Sequence, residues 1–189
     1  MYVTRSVIEQ AIEQYGQPRT AEFVIVVDKR EFNFIRASQK DGRRHDTTFY
    51  IVKDGRIVVN AKHNYRPGMY RAPSGGLAPG ETIEEGLKRE AMEETGCEVT
   101  IERFLLKTDV KFVCKSDDAE KEIEWHSYVF QAAYTAGDFD FTDKREIREV
   151  RLATLEEFED FSKIMRKSNI GGLHYRAALH DAVKGLLQL

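Results

Sequence analysis

The chain has 189 residues, 41% hydrophobic and 32% charged, which suits one ordinary domain with enough apolar material for a core. A net charge of −3 gives no broad electrostatic grip on long nucleic acid, and the apolar runs are too short to span a membrane. Cys97 and Cys114 lack metal or redox spacing, and charged residues rather than an apolar leader follow Met1, so a cytoplasmic setting is expected.

In chain order, Val7, Ile8, Ala11, Ile12 and Tyr15 fall at helical spacing and predict an amphipathic helix over Thr4 to Tyr15, stopped by Gly16 and Pro18. Two β-rich runs follow, Glu22 to Val27 and Glu31 to Arg36, and Asp28 to Arg30 reads as a hairpin loop between them. The polar stretch Ala37 to Asp46 predicts a linker. It divides an N-terminal extension, 1–46, from a main body, 47–189. Thr47 to Val52, Asp54-Gly55 and Ile57 to Ala61 read as strand, turn and strand, the strongest short-range hairpin signal. Irregular chain from Asn64 to Pro73 leads into a Gly-rich loop, Ser74 to Gly80, and a helix from Thr82 to Thr95 closed by Gly96.

Beyond that helix, strands are expected over Glu98 to Leu106, Thr108 to Val113, Ile123 to Tyr134 and Glu149 to Leu152. Charged chain from Lys115 to Glu122 reads as a loop, as does Ala136 to Lys144. Helices are expected over Thr154 to Phe161, where Thr154 and Glu157 have capping-box spacing, and over Tyr175 to Leu187. Strands interleaved with a few helices, without a repeat, predict a mixed α/β sandwich.

The chemistry concentrates between Gly75 and Cys97. On a helix, Glu90, Glu93 and Glu94 fall within about 100° of arc. Carboxylates this close repel one another unless cations neutralise them, and Mg²⁺ is a natural partner because it takes oxygen ligands and bridges phosphates. Arg89 lies four residues from both Glu85 and Glu93 and can pair with either. Ile83, Leu87 and Ala91 form an apolar stripe that docks the helix on a sheet. Gly86, one turn before Glu90, leaves its face bare for a close approach. In the preceding loop, Gly75, Gly76 and Gly80 permit unusual backbone angles, and amides near a helix start favour anions.

The whole segment matches Gly, five residues, Glu, seven residues, Arg-Glu, an apolar residue, any residue, Glu-Glu, any residue, Gly, apolar. Seven fixed positions at background frequencies of roughly 5–7% make a chance match about one in a million for a chain this long. Every fixed position is filled, with Ala91 and Cys97 at the two apolar ones. The chain therefore resembles the Nudix hydrolases, most specifically over residues 75–97 and more loosely from Thr47 to Phe158. The resemblance implies an α/β/α sandwich around a mixed sheet, here with an N-terminal helix and β-hairpin extension. It also implies Mg²⁺- or Mn²⁺-dependent hydrolysis of a nucleoside diphosphate linked to another group. Glu90, Glu93 and Glu94 would be the metal ligands, Glu81 and the Gly76 carbonyl would assist, and Arg89 would orient the carboxylates. Glu93 is the first choice of general base, with Glu120, Glu122 and Glu146 as loop candidates. Glu93→Gln and Glu94→Gln are each expected to abolish most turnover without unfolding the protein.

Substrate markers outside this segment are sparse. No proline follows Pro79, and Phe112 and Val113 stand where dinucleoside polyphosphate-cleaving members often carry a tyrosine. The fingerprint of NADH-cleaving members is absent. The strands before the segment resemble the appendages of nucleotide-sugar members, so ADP-ribose or another nucleotide sugar is the expected substrate. The alternative is a nucleoside triphosphate cleaved to monophosphate and pyrophosphate. A catalytically silent binding domain is disfavoured because every glutamate of the pattern is present. Tyr65, Arg66, Tyr70 and Arg71 are candidates to stack on a base or fork onto phosphate. Trp125 reads as core, and Asn169 to Tyr175 as a loop leading into a helix rather than a base pocket. His45, His63, His126, His174 and His180 show no zinc spacing. A homodimer through the β-rich N-terminal segment is expected, with a small nucleotide as the other partner.

Overall fold

The computed structural model describes residues 3–39, 42–115 and 120–189. In these residues seven strands make one sheet: β1 (Arg19–Val26), β2 (His45–Lys53), β3 (Arg56–Lys62), β4 (Ser74–Gly75), β5 (Cys97–Lys115), β6 (Glu120–Gly137) and β7 (Ile147–Ala153). Among the described residues five helices surround it: α1 (Arg5–Tyr15), α2 (Lys29–Ser38), α3 (Ile83–Thr95), α4 (Glu157–Arg166) and α5 (Gly171–Lys184). The strand order is β1-β5-β6-β2-β3-β7, with β4 paired to β2 outside that path. β1 runs parallel to β5 and β2 parallel to β6, while the other pairs are antiparallel, so the sheet is mixed as expected.

Alternation along the strands divides the core into two layers. Phe49, Ile51, Val58, Phe104 and Phe130 face α1 and α3, where Ile83, Leu87 and Ala91 dock as the apolar stripe predicted. Tyr50, Ile57, Val59, Phe112, Trp125 and Val129 face the other way, against Phe32 of α2, Phe158 and Phe161 of α4, and Tyr175 and Leu179 of α5. Trp125 is core.

One expectation fails in the N-terminal segment. There is no hairpin: Glu31 to Arg36 lies in α2, and β1 pairs with β5 instead. Asp28 caps α2 by accepting from the Glu31 amide, and the Glu31 carboxylate accepts from the Asp28 amide in return, a reciprocal cap that starts a helix. Glu31 also accepts from the Gly171 and Gly172 amides, placing its charge at the N-terminus of α5. The two strands expected between Glu98 and Val113 are one long strand, β5, which pairs with β6 without a break through Lys107 and shifts register only earlier, between Glu98 and Leu106. The expected 115–122 loop lies partly outside the described residues, and Glu120 to Glu122 already belong to β6. Glu157 accepts from the Thr154 amide as the capping spacing implied, although α4 begins only at Glu157.

The opening of the sheet positions the site. β2 and β3 pair through a tight turn at Asp54 (φ 50°) and Gly55 (φ 71°), but only over Ile51 to Lys53 on the β2 side. They then diverge. Into the gap goes β4, Thr48 paired with Ser74 and Thr47 with Gly75, while Asn60 and Arg71 exchange backbone hydrogen bonds across the β3 side. The Gly-rich loop thus starts from the middle of the sheet and delivers α3 across its face.

Candidate active site

Thr82 and Glu85 form the reciprocal cap that starts α3, and Gly96 ends it in the left-handed region at φ 67°. Leu77 fills the space a Cβ on Gly86 would need, at 2.3 Å, so the bare face of Gly86 receives the loop rather than a ligand. This packing fixes the loop and the helix relative to each other.

Arg89 is the hub. Its Nε and Nη2 donate to the two oxygens of Glu81 at 2.7 and 2.9 Å, a forked pair. Nη1 donates to Glu90 at 2.9 Å and to Glu93 at 3.3 Å, and Nη2 also reaches the Gly76 carbonyl at 2.9 Å. One side chain therefore gathers Glu81, Glu90, Glu93 and Gly76. The guanidinium holds Glu81 below the usual carboxylate range, whereas burial, against the pull of Arg89 and helped by Glu94 and Glu93, raises Glu90 above it. Glu90 lies against the Gly75 backbone, where a Cβ would stand 1.9 Å from its carboxyl carbon. Among the described residues, no three His, Cys, Asp or Glu side chains are gathered as a metal site.

Glu94 goes elsewhere. Its side chain is 6% exposed, against 15% for Glu90 and 46% for Glu93. Glu94 accepts from Arg71 Nη2 at 2.9 Å, from Asn60 Nδ2 at 2.8 Å and from the Ser74 amide at 3.0 Å. The helix thus turns Glu90 and Glu93 towards Arg89 and Glu94 into the gap between β2 and β3.

Comparison with known proteins fits this arrangement. A family model described as NUDIX domain matches residues 43–170. The chain belongs to the Nudix family. Nucleoside triphosphatase NudI of Enterobacter sp. (strain 638) is 30% identical over 125 residues, which are 64% of this chain and 79% of that protein. NAD-capped RNA hydrolase NudC of Chromobacterium violaceum is 42% identical over 55 residues, 29% of this chain and 21% of that protein. Among solved structures, a UDP-X diphosphatase covers 97% of this chain and 80% of its own at 17% identity and a TM-score of 0.52, a likeness of fold. By family the chain is a Nudix hydrolase, a pyrophosphohydrolase in class.

The residues expected outside the 75–97 segment scatter. Arg71 is buried on Glu94, and Tyr70 is buried under Arg151 (4.1 Å to the ring centroid) and beside Phe161. Arg66 and Tyr65 lie in exposed or half-buried chain before them. Glu146 pairs with Lys62, whose environment includes Arg71 and Glu94, so of the three loop glutamates it lies beside the Nudix helix. Glu122 pairs with Lys111 and Glu120 begins β6, both on the far part of the sheet. The loop before β7 also holds the helix: the Thr142 and Asp143 amides both donate to the Glu93 carbonyl.

Several cations near the 75–97 segment carry no signature in the sequence. Burial pushes Lys62 down to about 7, with Arg71 adding to the fall. Arg43 packs its guanidinium over Gly76 and beneath Trp125. Arg176 of α5 donates to Thr48, Asp46 and Ser74. None has a local motif, because each is brought in by the tertiary fold.

Proposed function

We propose that this Nudix hydrolase cleaves a phosphoanhydride bond of a nucleotide with Mg²⁺ or Mn²⁺ as cofactor. The observation that carries the reading is the Arg89 hub, where one cation serves three carboxylates and leaves the cluster with excess negative charge. Glu90 and Glu93, with the Gly76 carbonyl alongside, are hard oxygen donors of the kind such ions take, and Glu90, raised by burial, gains a counter-charge from one. When bound, the ion supplies charge neutralisation for the diphosphate and a water of lowered pKa. Glu93, the most exposed of the three, takes the proton of the attacking water. Arg89 holds Glu81 and Glu90 in place, and Glu94 contributes by anchoring the helix to Arg71, Asn60 and Ser74 rather than as a first ligand.

For the substrate, the nucleoside triphosphate reading takes the lead. A curated relative aligned over most of its own length is a nucleoside triphosphatase. Support for a nucleotide sugar came from a β-hairpin that is a strand and a helix here. The test is hydrolysis of a panel of ADP-ribose, other nucleotide sugars, dinucleotides and normal and oxidised triphosphates, with Mg²⁺ or Mn²⁺. Release of pyrophosphate and monophosphate is expected. A nucleoside monophosphate and a sugar phosphate would restore the nucleotide-sugar reading, and inactivity of folded protein across the panel would refute hydrolysis of these classes.

A homodimer remains part of the proposal, supported by the open edge of β1 with Val24 and Val26 exposed. A sedimentation mass near the 21.8 kDa of one chain would refute it. The two free, buried cysteines fit a reducing cytoplasm, and no helix among the described residues is long and apolar enough to cross a membrane.

A further inference from the structure

We infer that Arg176 is a positioning residue of the hydrolytic site, fixing through Ser74 the placement of Glu94 and of the Gly75-Gly76 turn. The inference rests on the reading above of where hydrolysis occurs. Arg176 lies on α5, beyond the matched domain, 80 residues past Gly96 at the end of the Nudix helix.

The geometry is a clamp. Arg176 Nη1 donates to Thr48 Oγ1 at 2.8 Å, and Nη2 donates to Ser74 Oγ at 2.9 Å and to Asp46 at 3.1 Å. Thr48 and Ser74 are partners in the β2–β4 pairing, so one guanidinium grips both sides of a single rung. That rung matters because β4 is only two residues long and carries little ladder of its own. The far side of Ser74 is equally committed: its hydroxyl accepts from Arg71 and its amide donates to Glu94. One residue on, Gly75 backs the Glu90 carboxyl, and the next carbonyl, Gly76, accepts from Arg89. Displacing Ser74 therefore moves an anchor of Glu94 and the backbone against which Glu90 and Arg89 rest.

The clamp is itself well founded. Its anion, Asp46, is held by Ser127, which accepts from Tyr175 of the same helix, and the first turn of α5 is capped by Glu31. Arg176 keeps its side chain 17% exposed, so it is tied down without being sealed in. The competing role is plain neutralisation of Asp46, and the two differ in what happens at the carboxylates.

The test compares Arg176→Ala, Arg176→Lys and Ser74→Ala with the wild type. It measures Mn²⁺ affinity from the free-ion electron paramagnetic resonance signal, kcat and KM on whichever nucleotide the wild type cleaves, and thermal unfolding. Misplacing reactive groups by about an ångström costs on the order of 100-fold in rate. Arg176→Ala is expected to lower kcat by about 10- to 100-fold with KM within about threefold, and to weaken Mn²⁺ about tenfold. Arg176→Lys, which keeps the charge on Asp46 but not the fork, should recover only part. Ser74→Ala, which leaves the Arg176–Asp46 pair intact, should reproduce the loss and stands in if Arg176→Ala fails to fold. Folded variants that keep kcat and Mn²⁺ affinity within about twofold while losing only thermal stability would overturn the positioning role. A wild type that binds Mn²⁺ yet cleaves nothing would defeat the hydrolytic reading, and the Mn²⁺ measurement would still decide whether Arg176 sets the carboxylates.

Discussion

Arg71 and Glu94 form an ion pair at 2.9 Å with both side chains almost wholly withdrawn from water. Breaking such a pair from one side strands a charge, at a cost of about 3–5 kcal/mol. Arg71 would keep only its hydrogen bond to the Ser74 hydroxyl, since among the described residues its Nε has no partner. Glu94→Gln should therefore lower the urea unfolding free energy by about that amount, although the amide still accepts from Asn60 and Ser74. Adding Arg71→Met removes the stranded charge, so the double variant should lose less than the sum of the singles, with a coupling of about 1–3 kcal/mol. Strict additivity would mean that the two residues do not share one interaction.

Glu93 is the contrasting case. It is half-exposed, and its side-chain partner is an Arg89 that keeps two other carboxylates. Glu93→Gln should leave the melting temperature within a degree or two, since surface changes cost at most about 0.5 kcal/mol. Turnover should fall by two orders of magnitude or more. The two glutamine substitutions thus separate: Glu94 in the denaturation curve, Glu93 in the rate. A Glu93→Gln protein of near wild-type kcat would remove Glu93 from the base role.

That separation was partly legible in the sequence. Counting 100° per residue from Glu90, Glu94 sits at about 40°, between Ile83 at about 20° and Leu87 at about 60°, while Glu93 lies at about 300°. Glu94 thus falls inside the buried stripe, although the shared arc of the three carboxylates made them look equivalent. What the sequence could not give was the partner, because Arg71 and Asn60 meet Glu94 only where β2 and β3 diverge. Arg176 was invisible for the same reason, being a long-range contact without a motif. The α2 error is different: Phe32 and Phe34 alternate like a strand, yet Asp28 and Glu31 already had capping-box spacing. The fold buries Phe32 and leaves Phe34 76% exposed, as a helix face does and a core strand does not.

Gly75 offers a test of the backbone that supports Glu90. Alanine there would put a methyl 1.9 Å from the Glu90 carboxyl carbon, which is the mobile end of a side chain and can swing aside. Gly75→Ala should therefore fold, with a stability change of about 1 kcal/mol, and lose at least about tenfold in kcat because Glu90 leaves its place beside Arg89. Wild-type turnover in this variant would show that the position of Glu90 does not limit the reaction.

Acid should weaken the fold before most carboxylates titrate. Burial holds His180 neutral, down to about 3, with Arg176, Arg71 and Arg166 adding to the fall, and burial holds His45 down to about 4. Both rings charge near pH 6.5 once unfolded, so between that pH and about 4 the unfolded chain binds more protons than the folded one. Stability therefore falls as pH drops through this window. Carboxylates held low, such as Glu81, lose their contribution only below about 4.5, and the raised Glu90 acts in the opposite sense. Urea unfolding at pH 7 and at pH 5 should differ by about 2–4 kcal/mol. His180 packs edge-on against Tyr50 and Phe158, so His180→Leu keeps the site apolar and should remove about half of that difference. An unchanged pH dependence in His180→Leu would place the acid sensitivity elsewhere than in this buried ring.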